Sequence, residues 1–179
     1  MAKVKIKNLN NVKKSVDDMF NEIRKDNQLL LDIGNKTVEL TKAFNRSGKS
    51  PNGKRHPDNS DAWDNRREQL KAVNKTSEFY KAYYSNVTFT GQLIDSIKLI
   101  KINRNESTVE IDATGNRKPY KNLDGSNVKG TPTNKKLVEY LADIGRNIFG
   151  INKQIENVIN KIVRSYMVKE MKKRFPGSR

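Results

Sequence analysis

The residues best suited to chemistry lie in short polar segments, and the first of these is Gly48-Lys49-Ser50. This triplet is similar to the tail of a phosphate-binding loop, whose backbone amides and lysine hold phosphate oxygens. That loop needs a second glycine five residues before Gly48, where the chain has Ala43. No strand is predicted before the triplet, and Pro51 prevents a helix from starting in the required register. We therefore interpret the segment as a turn.

The other chemically capable groups also lack partners. His56 is the only histidine and the chain has no cysteine, so neither a zinc site nor a histidine-dependent triad is expected. Asp58, Asp61 and Asp64 recur at helical spacing, whereas calcium loops use alternate positions, so capping and surface pairing are their expected roles. Asp95-Ser96 has no histidine nearby to activate a nucleophile. We therefore predict a protein that is not an enzyme, with no catalytic residue, cofactor or metal site.

Length and composition set the scale of the protein. The chain has 179 residues, 34% of them hydrophobic, and its 36 lysines and arginines exceed 20 acidic residues to give a net charge of +16. We expect one domain over residues 1–179, with a modest core whose burial is completed in an assembly. No apolar run approaches the roughly 18 residues of a membrane span, and the first residues lack the apolar core of a signal peptide. Neither membrane insertion nor secretion is expected.

The positive charge is densest in residues 134–179, which hold 11 basic and 4 acidic residues. Lys169, Lys172, Lys173 and Arg174 lie near the end of this segment, and we predict that they form a basic interface. Such a field can bind nucleic acid through counterion release or an acidic protein by charge complementarity, or it can simply be a solvated surface. Because the aromatic residues mostly occupy helical apolar positions, sequence-specific recognition of nucleic acid is not favoured.

Hydrophobic periodicity predicts an α+β fold in which a small antiparallel β-sheet packs against several helices. Apolar residues at three- and four-residue steps over residues 9–44 indicate one long helix or two helices that break near Asp26-Asn27. A similar stripe predicts a long C-terminal helix from about residue 152 to 174. Apolar and polar residues alternate over 100–102 and again over 109–113, which indicates a β-hairpin.

Two segments rich in glycine, proline and polar residues separate these elements. Residues 45–60 contain two prolines and two glycines, and residues 114–134 show no apolar period. We predict that both are extended, mobile loops. Between them, Trp63 lies on a short helical pattern that Ser60 can cap.

Four patterns, in order along the chain, carry a family resemblance. A strand and helix begin at Val4–Leu9, and Ser50–Gly53 (Ser-Pro-Asn-Gly) is followed by Trp63. Thr90–Ile97 then matches a Thr-Gly-x-Leu-x-x-Ser-Ile signature that runs into the hairpin, and Arg146–Gly150 precedes the long terminal helix. In these features the chain resembles the virion morphogenesis proteins of tailed phages, the group of neck, head–tail joining and tail-completion proteins.

The resemblance implies an α+β structural subunit that assembles as a homo-oligomeric ring at the head–tail junction or at the tail end, as a tail terminator does. Its partners would be adjacent neck, connector or tail-tube proteins, with weak, non-specific contact to packaged DNA. It would be made in the cytoplasm of the host bacterium and located in the virion. The alternative function is a basic nucleic-acid-binding protein without sequence specificity.

The signature also provides candidate assembly and packing residues. Thr90 can cap a short helix and Gly91 permits a tight entry into it. We expect the following apolar side chains to bury that helix against the hairpin. The full set of candidates comprises Thr90, Gly91, Leu93, Ser96, Ile97, Trp63 and Phe149.

Overall fold

The computed structural model describes residues 9–74, 92–116, 121–130 and 132–176. This part of the chain folds into helices and one two-stranded antiparallel sheet, so the predicted α+β class is confirmed. The strand expected at Val4 lies outside the described residues. The elements are α1 (Leu9–Arg24), α2 (Asn27–Arg46), α3 (Asp61–Val73), α4 (Gln92–Asp95), β1 (Ile97–Asn103), β2 (Thr108–Ala113), α5 (Asn134–Asp143) and α6 (Lys153–Arg174).

The first two helices are separate, and Asp26 explains the break between them. Its backbone is extended, and its carboxylate accepts a hydrogen bond of 2.7 Å from the Leu29 N–H. The side chain thereby satisfies one of the amide groups that are unpaired at the start of every helix. Of the two alternatives that the sequence allowed, the two-helix arrangement is confirmed.

Helix α2 is the central element, with the sheet on one side and α6 on the other. The sheet comes very close at Gly34, where an added Cβ atom would lie 2.7 Å from Leu99 Cδ1. Tyr166 of α6 donates a hydrogen bond of 2.8 Å to the Asp32 carboxylate. Since each residue of an α-helix turns by about 100°, Asp32 and Gly34 point to opposite sides of α2. The helix therefore joins the two halves of the molecule.

Two apolar clusters lie along α2. The first, here called the hairpin cluster, is buried beneath α4, the hairpin and α5, and it contains Leu93, Ile94, Ile97, Ala113, Leu141 and Ile148. The second, the helical cluster, lies between α1, α2 and α6. Its buried members are Met19, Ile23 and Leu29, and half-buried apolar residues surround them: Ile33, Ile162, Val163, Tyr166 and Met167.

The segment predicted as a loop over 45–60 starts two residues later, because α2 continues to Arg46. It then folds into a tight turn in which the Ser50 N–H donates to the Lys54 carbonyl at 2.7 Å. Gly48 enters this turn with a φ of 78°, a conformation that favours glycine. The segment buries Ser50 and His56. Its mobility stays a prediction.

The second long loop ends at Thr133, one residue before its predicted end. The Thr133 side chain accepts from the Lys136 N–H and caps α5, so that Asn134 already belongs to the helix. An isolated bridge pairs Asn116 with Thr133 and closes the described part of the loop at its base. Among the described helices, none is long and apolar enough to cross a membrane.

Candidate assembly surface

The signature element is described from its third residue onward, since Thr90 and Gly91 lie outside the described residues. Helix α4 is a single turn that leads directly into β1. The Ser96 hydroxyl closes this turn by donating to the Leu93 carbonyl at 2.7 Å. Leu93 is 4% exposed and Ile97 is fully buried. The element is therefore a packed part of the hairpin cluster, while its role in assembly stays a prediction.

Two cations from the end of α2 hold α4 in place. The Arg46 guanidinium pairs with the Asp95 carboxylate at 2.6 Å, and the Lys42 ammonium donates to the Asp95 carbonyl at 3.1 Å. Burial lowers the pKa of Lys42, and this effect exceeds the opposing influence of the Asp95 charge. Because the Arg46–Asp95 pair is partly exposed, its main contribution is to fix the position of α4 rather than to add much stability.

The other two candidates of this group occupy different environments. Phe149 is half-buried and packs against the hairpin cluster. Trp63 is 41% exposed in the first turn of α3. The backbone N–H of Trp63 donates to the Ser60 hydroxyl at 3.2 Å, as expected for the predicted cap. The structure thus joins Phe149 to the signature element, while Trp63 lies on the surface of another helix.

The aspartates near α3 form surface ion pairs. Asp58 pairs with Arg55 at 3.1 Å and Asp64 pairs with Arg67 at 3.7 Å. Within the described residues, no group of three or more histidine or acidic side chains is arranged to hold a metal ion. The ion pairs agree with the surface-pairing role expected for Asp58 and Asp64.

A buried polar network, which sequence reasoning did not find, connects α2 to the segments before α6. Asn45 is fully buried, and its side-chain amide donates to the carbonyls of Thr41 and Ile148, both at 2.8 Å. Its Oδ1 atom lies 3.0 Å from His56 Nε2. Because the amide nitrogen of Asn45 donates, Oδ1 must accept, so His56 carries a proton on Nε2, and the neutral tautomer protonated at Nε2 satisfies this contact.

The environment of His56 favours this neutral form. The ring is 2% exposed, and within the described part of the chain its Nδ1 atom has no hydrogen-bond partner. Burial and, to a smaller extent, the nearby Arg146 charge lower the pKa of His56 below its ordinary value of 6.5. One sequence signal for the network existed, since Thr37, Thr41 and Asn45 recur every four residues along the inner side of α2.

The four predicted basic interface residues do not act alike. Arg174 pairs with Glu22 of α1, and Lys173 pairs with Glu170 of its own helix. The Lys169 ammonium lies 6.0 Å from the centre of the Tyr166 ring, and Lys172 is exposed. Arg174 therefore helps to hold α6 on α1, which leaves Lys172 as the member that points most clearly outward.

Exposed residues on the outer side of α6 form a continuous stripe at three- and four-residue steps. At about 100° per residue they fall within roughly a quarter to a third of the helix circumference. The stripe combines three cations with two apolar side chains, of which Val168 is 51% and Met171 is 43% exposed. We call it the outer stripe of α6, and its members are Lys161, Arg164, Val168, Met171 and Lys172.

Comparison with family models, curated proteins and solved structures finds no match for this chain.

Proposed function

We propose that the protein is a non-enzymatic structural subunit of a tailed-phage virion, which forms a ring at the neck or as a tail-completion (tail terminator) protein. The observation that carries this proposal is the signature element Thr90–Ile97. Its sequence pattern is the main basis of the family resemblance, and its described part packs into the core. The buried side chains of Leu93 and Ile97 hold a one-turn helix against the hairpin cluster immediately before the hairpin.

The distribution of apolar surface also favours an assembled subunit. Single exposed apolar residues are normal on any protein surface. Here, however, large exposed apolar residues recur on α1, α5, α6 and the segment before α6, while the core formed by the described residues is small. Burial between subunits would supplement such a core. The large exposed apolar residues include Tyr140 and Ile151 at 60%, Val168 at 51%, Ile144 at 45%, Met171 at 43% and Phe20 at 40%.

The test is the oligomeric state of the purified full chain. Native mass spectrometry should give a closed multiple of the 20.5 kDa subunit, and two-dimensional class averages should show rings. The double variant Tyr140→Asp/Ile144→Asp, which alters only exposed positions of α5 and the residue after it, serves to locate a subunit contact. A chain that stays monomeric at all micromolar concentrations, alone and with phage tails or heads, would reject the proposal.

The second candidate function is binding of nucleic acid without sequence specificity. It is favoured by the net charge of +16 and by exposed lysines and an arginine on α6. In this case duplex DNA should bind without a ring, and the logarithm of the binding constant should fall linearly with the logarithm of salt concentration. Measuring DNA binding at several salt concentrations beside the mass measurement separates the two functions.

A further inference from the structure

We propose that the outer stripe of α6 is a docking surface for an acidic amphipathic helix of a partner protein. The inference names the partner chemistry for the structural role proposed above and rests on it. The occupant is a helix that carries carboxylates beside a row of apolar side chains. Contacts, exposure and charge on α6 support this choice in turn.

The orientation of α6 makes the stripe available. Its inner side is occupied, because Tyr166 bonds to Asp32 and Arg174 pairs with Glu22. The stripe lies on the other side, and Lys161 to Lys172 spans about 16 Å, or three helical turns. A partner helix of similar length could therefore lie along it, as amphipathic helices do in grooves and on helix faces.

Within the described part of the chain, none of the three cations of the stripe has an ion-pair partner. Over residues 157–174 the sequence has one acidic residue, Glu170. That carboxylate is paired with Lys173 and lies near the inner side of the helix, so it does not neutralise the stripe. An acidic helix would meet Lys161, Arg164 and Lys172 with opposite charge, which increases the rate of association and fixes the register.

The two apolar members distinguish a protein helix from DNA. Val168 lies in the middle of the stripe and Met171 lies at its edge about one turn later, and both are about half exposed. Contacts to a phosphate backbone are made by cationic and polar side chains, and apolar side chains placed there gain nothing from a charged, hydrated surface. A protein helix can cover them with leucine or isoleucine, and burial of apolar area then adds to the attraction.

Two further occupants are less suitable. A second copy of the chain carries the same net charge of +16, and several of its acids are already paired with its own cations, among them Glu22 and Asp95. An anionic lipid surface needs more apolar area than one valine and one methionine, because interfacial helices usually insert tryptophan, phenylalanine or leucine. The acidic protein helix therefore matches the stripe best.

The experiment uses the full chain and a synthetic helical peptide that has glutamates beside a row of leucines. A peptide with the same residues in scrambled order controls for general attraction to a basic protein. Fluorescence anisotropy at low and high salt should give tighter binding of the ordered peptide by about tenfold or more, with part of the preference retained at high salt. Duplex DNA and anionic vesicles are titrated in parallel.

Two double variants locate the contact. Lys161→Glu/Lys172→Glu reverses the charge of the stripe, and Val168→Ala/Met171→Ala removes its apolar part. Both change exposed positions, so circular dichroism should be unaltered. We expect each to weaken binding of the ordered peptide by about five- to tenfold. Lys135→Glu/Lys136→Glu is the matched control, since it makes the same charge change at exposed positions of α5.

Each outcome decides the question. Loss of peptide binding in both stripe variants but not in the α5 control supports the proposal. The proposal would be overturned if the scrambled peptide bound equally well or if the Val168→Ala/Met171→Ala variant kept its affinity for the ordered peptide. It would also be overturned if the stripe bound DNA or vesicles in preference to the peptide, or if the stripe variants abolished self-association. Rings that form without peptide binding reject this inference alone, whereas the absence of rings rejects the proposed function.

Discussion

The hairpin cluster and the helical cluster share α2, but they are buried to different degrees. Within the described residues, the hairpin cluster has six buried members with four half-buried apolar side chains packed against them, whereas the helical cluster has three buried members and five half-buried ones. A sheet, a one-turn helix and α5 enclose the first from several directions, while α1, α2 and α6 cover the second. The comparison indicates that the hairpin cluster supplies most of the apolar stability and that the helical cluster can still gain burial from a neighbour.

The largest expected effect comes from placing a charge in each cluster. Leu93→Asp should lower the free energy of unfolding by several kcal/mol, because it buries an unpaired carboxylate. Val163→Asp should cost less, since Val163 is half-buried and water can reach the new charge. Chemical denaturation followed by circular dichroism measures both, with Ile100→Asp at an exposed hairpin position as the control. An equal decrease in the free energy of unfolding for the variants at positions 93 and 163 would mean that the two clusters exclude water equally well.

A smaller effect is expected at the contact between α2 and the sheet. Gly34→Val places a side chain where the methyl groups of Leu99 already lie, so the Leu99 side chain, the hairpin or α2 must shift. Overpacking of this kind typically costs about 1–3 kcal/mol. Asn35→Val is the control, because it introduces the same residue on an exposed side of the same helix. If thermal unfolding places both variants at the same stability, the close approach at Gly34 does not matter for the joining of the two clusters.

The smallest effect concerns pH, through His56 in the buried polar network at the C-terminal end of α2. Its native pKa lies below the ordinary value of 6.5, so the unfolded chain binds the proton more readily than the native protein. The contribution of His56 to the free energy of unfolding should therefore be constant above about pH 6.5. Below that pH the free energy of unfolding should fall, by at most about 1.4 kcal/mol per pH unit. His56→Gln, which keeps a donor for Asn45, should lose this dependence in denaturation curves between pH 7 and 5. The same slope in both proteins would assign it to other groups.

Much of the fold could be predicted because its signals are local. Alternation predicts the hairpin, apolar residues at helical spacing predict α6, and Ser60 is predicted as the cap that the structure contains. The break near Asp26-Asn27 is one of two alternatives, and the Asp26 cap explains it. Each of these features depends on residues within a few positions of one another. Local chemistry of this kind is visible in a single sequence.

The remaining features depend on partners far away in the chain. Asn45 and His56 lie in a polar segment that composition assigns to a mobile loop, yet both are buried because Ile148 and the turn after α2 surround them. The contact of Gly34 with Leu99 has no local signature at all. In the candidate surface, the basic residues could be found by charge, but the separation of Arg174 from the outer stripe required the position of Glu22.

The packing of α6 over one side of α2 has a consequence for synthesis on the ribosome. The contact between Asn45 and Ile148 spans 103 residues, and that between Tyr166 and Asp32 spans 134. At about 5–20 residues per second, α1 and α2 are complete roughly ten seconds before α6 emerges to cover them. The hairpin is made earlier and can cover its own side of α2, but during that interval the sides of α1 and α2 that face α6 stay uncovered. The nascent chain therefore exposes this apolar surface to chaperones and proteases until α6 has been made.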